Sequence, residues 1–116
     1  MKPEVIVIDE PTSDLDPESA INLLKILASL NRSGKTIILI EHRLENALRL
    51  ADRIIVLESG KLAAQGSPRE VIRDFDLESM GIRIPIICRI ARELGMEKIP
   101  LSIEEFAEIW GAHDVH

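Results

Sequence analysis

Four consecutive apolar β-branched residues, Val5-Ile6-Val7-Ile8, run straight into Asp9-Glu10 and stop at Pro11. A run without polar alternation suits a strand buried on both faces, the kind found in parallel sheets. Thr36-Ile37-Ile38-Leu39-Ile40 repeats the pattern and ends at Glu41-His42, and Arg53-Ile54-Ile55-Val56-Leu57 is a third such run. Between the first two lie the turn formers Pro11 to Pro17 and then a helical pattern. Asp16 is placed to cap that helix, with Pro17 at its first position and Glu18 in its first turn. Ile21, Leu24, Leu27 and Ala28 recur at helical spacing to about Arg32, and Gly34 is the expected stop. A short helix is expected over Leu44–Leu50. Strand, helix, strand, helix, strand predicts parallel βαβ units.

Glu58-Ser59-Gly60-Lys61 then reads as a tight turn into a fourth strand, Leu62-Ala63-Ala64-Gln65, which implies an antiparallel hairpin. Ser67-Pro68-Arg69-Glu70 is a complete helix start, for a helix ending near Asp74. After Phe75 the β-rich runs give way to two helical stretches, Ile84–Leu94 and Ser102–Trp110, the second opening with Ser102 and Glu105 at capping-box spacing. Residues 1–75 are therefore expected to form an α/β unit and 76–116 a helical extension.

Composition removes several alternatives. Twenty acidic residues against fourteen Lys and Arg give a net charge of −6, which argues against a general binder of nucleic-acid backbones. The lone Cys88 cannot form an internal disulfide. No stretch approaches the roughly 18 apolar residues of a membrane span, and no secretory h-region follows Met1. A cytoplasmic α/β protein is the expectation. Gly34-Lys35-Thr36 imitates the tail of a phosphate-binding loop, but position 29 is Ser29, and the triplet leads from a helix into a strand. A phosphate loop leads from a strand into a helix N-terminus, so this triplet is a helix stop.

Two adjacent carboxylates at the C-terminal end of a parallel strand can divide the labour of phosphoryl transfer. The first can hold Mg²⁺ through water, and the second can orient or deprotonate an attacking water. The same dipeptide can also simply open a solvated turn, so its context decides.

That context, Val-Ile-Val-Ile-Asp-Glu-Pro-Thr-Ser-Asp-Leu-Asp-Pro over residues 5–17, closely resembles the Walker B strand and D-loop of ABC-type ATPases. Ile40-Glu41-His42-Arg43 resembles their H-loop, and residues 50–61 resemble the strand and hairpin that follow it. Gln65-Gly66-Ser67-Pro68-Arg69-Glu70-Val71 is similar to the helix start closing the transporter-type domain. Residues 77–105 resemble the helical extension of energy-coupling-factor and cobalt-type importers, which there helps hold two ATPase subunits together. The resemblance implies a partial P-loop NTPase core of the ABC type, an α/β fold with a C-terminal hairpin and a helical extension.

By resemblance, Asp9 is the carboxylate near Mg²⁺, Glu10 the base toward the attacking water, and His42 the contact to the γ-phosphate of ATP. Ser13 and Asp16 fall in the D-loop, on the nucleotide and dimer-interface side. The family's Walker A loop, Gln loop and signature segment are not among these 116 residues. The expectation is a chain that neither grips ATP tightly nor hydrolyses it alone. The family's Walker A strand lies between the H-loop strand and the strand over Ile54–Leu57. Without it, two strands keep open edges, to be closed by a second copy, an element swap, mutual collapse or a complementary Walker A half.

In the cell such a chain would meet a transmembrane transporter subunit at the inner face of the membrane, for uptake of a metal ion or vitamin. A non-catalytic dimerisation module derived from the same family stays open. A lobe of a DNA-repair ABC-type ATPase is disfavoured by the missing signature segment, the acidic charge and the transporter-like residues 58–73.

Overall fold

A computed structural model of the protein describes residues 4–45, 47–48 and 50–113. The chain divides into two compact units, one up to Leu50 and the other from Ala51 onward.

The first unit is one βαβ element. Strand β1 (Val5–Asp9) pairs in parallel with β2 (Thr36–Ile40), in a register that sets Val5 against Thr36 and Asp9 against Ile40. Helix α1 (Pro17–Arg32) connects them and packs on β2. It starts where expected: Asp16 accepts from the Ser19 amide at 3.1 Å and from the Ser19 hydroxyl at 2.6 Å, and Pro17 opens the first turn. It ends where expected too, with Ser33 at the C-cap and Gly34 at φ +107°, a conformation that favours glycine. Ala20, Leu24 and Leu27 are the buried stripe of α1, while Ile21, expected on that face, is 46% exposed. The helix is therefore turned slightly from the orientation its sequence suggested.

The short helix expected over Leu44–Leu50 is a set of turns at its described positions, with the Leu48 amide on the Leu44 carbonyl at 2.9 Å. Asn46 and Arg49, which fall within that expected helix, lie outside the described residues.

Burial along the strands is one-sided. Ile6, Ile8, Ile37 and Leu39 are half-buried, whereas Val5, Val7, Ile38 and Ile40 are exposed. The continuous apolar runs prepare both faces for cover. Within this unit α1 is the helix available, and a two-stranded ribbon with one helix can cover only one face.

The second unit opens with a hairpin. Strand β3 (Ile54–Glu58) runs antiparallel to β4 (Lys61–Gly66), with a bulge at Val56/Leu57. Ser59 at φ +52° and Gly60 at φ +77° make the two-residue turn, the pair of positive φ angles that suits the right-handed twist of a hairpin. β3 thus lies in a separate two-stranded sheet and does not extend the parallel series β1–β2. The resemblance puts a further strand, outside these residues, between β2 and β3. Without it β4 is the neighbour that a short turn delivers.

Helix α2 (Pro68–Asp74) follows, with Ser67 accepting from the Glu70 amide at 3.3 Å and bonding the Glu70 carboxylate at 2.9 Å. A 3₁₀ turn (Glu78–Met80), α3 (Ile86–Glu93) and α4 (Ile103–His113) complete the unit. Its core gathers Val56, Ala64, Val71, Ile72, Leu77, Ile84, Cys88, Ala91 and Ile99. Among the apolar residues of the extension, Ile84 is in this core, whereas Ile86 and Ile90 are exposed.

One charged group ties the helices of this unit together. Arg69 in α2 makes a two-pronged ion pair with Glu105 in α4 and donates to the Ile99 carbonyl at 2.6 Å. Glu105 in turn accepts from the Leu101 amide at 2.9 Å, and its own amide donates to Ser102 Oγ at 3.1 Å. The Ser102 half of the expected capping box is therefore present, while the Glu105 carboxylate reaches the Leu101 amide, one residue before the cap, and is shared with Arg69 in α2.

Candidate active site

The in-register parallel pairing of β1 and β2 ends both strands at the same level, so residues 10–12 and 41–42 emerge side by side. Glu10 extends the ladder by one bond, its amide donating to the Ile40 carbonyl at 2.7 Å. It then turns the chain sharply at φ +46°, in the left-handed region. For a residue with a side chain this conformation costs about 1–2 kcal/mol, so the surroundings must hold it. Ser13 does so from two sides: its amide (3.4 Å) and its hydroxyl (3.1 Å) both donate to the Glu10 carbonyl.

The turn brings the Glu10 carboxylate against His42, with Oε1 and Nδ1 2.8 Å apart. An ionised carboxylate only accepts hydrogen bonds, so Nδ1 carries the proton and Nε2 is the ring's remaining polar atom. Both side chains keep solvent access, at 53% for His42 and 43% for Glu10. One step further from the strands, Thr12 Oγ1 donates to Glu41 Oε1 at 2.9 Å in a half-buried contact. Two side-chain bridges and one backbone bond thus join the loop after β1 to the end of β2.

Glu10 and His42, 32 residues apart in sequence, are brought together. Asp9 sits beside them on the exposed face of β1, and its carboxylate has no hydrogen bond or ion pair among the described residues. Ser13 supports Glu10, and Asp16 caps α1 with both carboxylate oxygens, which holds its carboxyl below the usual range through the Ser19 hydroxyl and amide. Thr12 and Glu41 went unnoticed in the sequence. The available signal was positional: once β1 and β2 are read as parallel partners ending together, Thr12 and Glu41 fall across the same gap as Glu10 and His42.

Among the described residues no group of three or more His, Cys, Asp or Glu side chains could enclose a metal ion. That suits Mg²⁺ less badly than Zn²⁺ or Ca²⁺. Mg²⁺ is commonly held by one or two carboxylates plus waters and phosphate oxygens, and the uncommitted Asp9 fits the carboxylate share.

No family model matches the chain. Individual relatives do. It is 37% identical to the energy-coupling factor transporter ATP-binding protein EcfA2 of Streptococcus sanguinis in an alignment 115 positions long, which covers 94% of this chain and 41% of that protein. A putative ABC transporter ATP-binding protein of Pyrococcus abyssi is 45% identical in an alignment 116 positions long, again covering 94% of this chain and 41% of the relative. In three dimensions the chain is similar to CbiO1 of Clostridium perfringens, part of the ABC transporter complex CbiONQ. The TM-score is 0.57 at 28% identity, over 80% of this chain and 37% of that one.

What the chain resembles, in sequence and in fold, is part of an ABC transporter ATP-binding protein of the energy-coupling-factor type. The chain spans about two fifths of the length of the relatives it matches. The α/β architecture, with a parallel pair, a hairpin and four α-helices, is that of a portion of an ABC ATPase. No helix among the described residues is long and apolar enough to cross a membrane.

Proposed function

We propose that these 116 residues supply the hydrolytic edge of an ABC-type ATPase site and depend on a complementary segment for the grip on ATP. The observation that carries this reading is the Glu10–His42 pair at 2.8 Å, set at the shared end of two parallel strands directly after Asp9.

Asp9 would take the carboxylate position toward Mg²⁺. When bound, that ion would neutralise charge on the phosphate oxygens. Glu10 spends Oε1 on His42 and leaves Oε2 to orient a water and accept its proton. His42, with Nδ1–H committed to Glu10, presents Nε2 as a donor to a phosphate oxygen when the ring is doubly protonated, and as an acceptor for water when neutral. Ser13 and Asp16 would touch nucleotide or a partner copy only by sharing or giving up their present bonds to Glu10 and Ser19.

The phosphate-binding loop and signature segment would come from elsewhere, in the same or another polypeptide. Residues 76–116, with the exposed Ile86, Ile90 and Leu94 spaced one turn apart near α3, would serve as a dimerisation element. By analogy with the names of its relatives, the assembled protein would drive uptake through a transmembrane subunit at the inner face of the membrane. A non-catalytic interaction module is the competing reading, favoured by the same exposed stripe.

Mixing the chain with a separately produced polypeptide carrying a relative's Walker A loop and signature segment separates the two. The proposal expects Mg²⁺-dependent ATP hydrolysis only in the mixture, reduced about a hundredfold or more by Glu10→Gln. A stable homodimer that ignores the added half and gains no ATPase activity favours the interaction module.

A further inference from the structure

We propose that Thr12 and Glu41 are positioning residues for the site, forming a strut that keeps the Glu10 carboxylate on His42 and so sets the imidazole tautomer. The inference rests on the reading of Glu10 and His42 given above, and it extends that reading to two residues with no assigned role.

The argument starts from what the Glu10–His42 pair lacks. Both side chains are about half exposed, and exposed ion pairs in water are individually weak because solvent competes for both partners. Glu10 also holds a left-handed backbone conformation that an acidic residue does not favour by itself. Its main-chain restraints act on one side each: the Ile40 carbonyl fixes where Glu10 begins, and Ser13 fixes where its carbonyl points. Neither restrains the next step of the loop relative to the end of β2. The Thr12–Glu41 hydrogen bond does, at 2.9 Å and half-buried, linking residues one and two positions away from the pair on opposite sides of the gap.

The geometry is that of two crossbars between two chains. Glu10–His42 alone could open by rotation of either exposed side chain. With Thr12 held to Glu41, the loop cannot drift from β2 without breaking a second bond, so the carboxylate stays within reach of Nδ1. A fixed Nδ1–H leaves Nε2 as the defined outward function of the ring, which is what an imidazole meant to meet phosphate or water requires. The strut depends on a hydroxyl donor at position 12 and an acceptor oxygen at position 41. It does not depend on the negative charge of Glu41.

Nitrogen-detected NMR of the His42 ring in the whole 116-residue chain, at a pH where the ring is neutral, tests this. Wild type is expected to show the Nδ1–H form. Thr12→Val and Glu41→Ala, which break the strut from opposite ends, are expected to lose that signature and to speed exchange of the Glu10 amide by about tenfold. Thr12→Ser and Glu41→Gln keep a donor and an acceptor and are expected to behave like wild type.

An unchanged His42 signature in both breaking variants overturns the proposal. So does a Glu41→Gln variant that behaves like Glu41→Ala, because charge and not the hydrogen bond would then be at work. Glu10→Gln separates this failure from that of the underlying reading. If it changes the ring while the strut variants do not, only the strut is wrong. If wild type lacks the Nδ1–H form or Glu10→Gln leaves the ring unchanged, the pair itself falls, and the strut with it.

Discussion

At the scale of single residues, the chain uses the same device twice: one glutamate serves two neighbours. Glu10 meets His42 with its side chain while its carbonyl is held by Ser13, and Glu105 divides its carboxylate between Arg69 and the Leu101 amide. The second case has a measurable consequence. Hydrogen bonding from Arg69 pulls the Glu105 carboxyl from its ordinary value of 4.5 down to about 2. The folded state therefore binds fewer protons than the unfolded chain in that interval. The contribution is complete well above pH 4.5 and is lost as the pH falls toward 2. The shift corresponds to about 3 kcal/mol unscreened. Solvent reaching Arg69, about a third exposed, leaves roughly 1–2 kcal/mol.

Urea unfolding of Glu105→Gln at neutral pH should show that loss, and the gap from wild type should close as both are taken to pH 2. Cys88 gives a second expectation. Burial pushes its thiol up to about 11, and Sγ donates to the Pro100 carbonyl at 3.3 Å. At pH 8 only about a thousandth of it is thiolate, so alkylation should follow unfolding and be almost silent in the native protein.

At the scale of elements, sequence legibility tracked how local the determinants were. The caps at Asp16 and Ser67, the stop at Gly34 and the Ser59-Gly60 turn all depend on contacts within a few residues, and each is where the residues place it. The site pair was legible through its motifs, because β1 and β2 read as parallel partners ending in Asp9-Glu10 and Glu41-His42. The Thr12–Glu41 and Arg69–Glu105 bonds were not. Both join residues about 30 or more apart, and neither residue type announces its partner. The partner of β3 was half legible: its hairpin with β4 is local, whereas the parallel neighbour that the resemblance implies is not among the described residues, where β3 pairs with β4 alone.

The hairpin turn gives the prediction at this scale. A Cβ at Gly60 meets no steric neighbour, so Gly60→Ala isolates the cost of φ +77°. It should destabilise the second unit by about 1–2 kcal/mol, read as a lower urea midpoint. A substitution without effect would mean that the turn is not held in this form.

At the scale of the whole molecule, the apolar surfaces left open matter most. Val5 and Val7 are each 59% exposed, and Ile38 and Ile40 nearly half exposed, on one face of the β1–β2 ribbon. Ile55 and Leu57 are likewise open on β3. Such faces and edges invite pairing. The chain alone should therefore self-associate, with light scattering showing a mass that rises with concentration and that Val7→Lys lowers. A monomer at high concentration would contradict this.

The same openness is what a site completed by another segment requires. Calorimetric titration of Mg-ATP addresses that claim most directly, using the chain alone and the chain mixed with a polypeptide carrying the Walker A loop and signature segment. The account predicts no micromolar binding by the chain alone and micromolar binding by the mixture, retained in Glu10→Gln because the role proposed for that residue is in hydrolysis and not grip. Micromolar affinity of the 116 residues by themselves would contradict it.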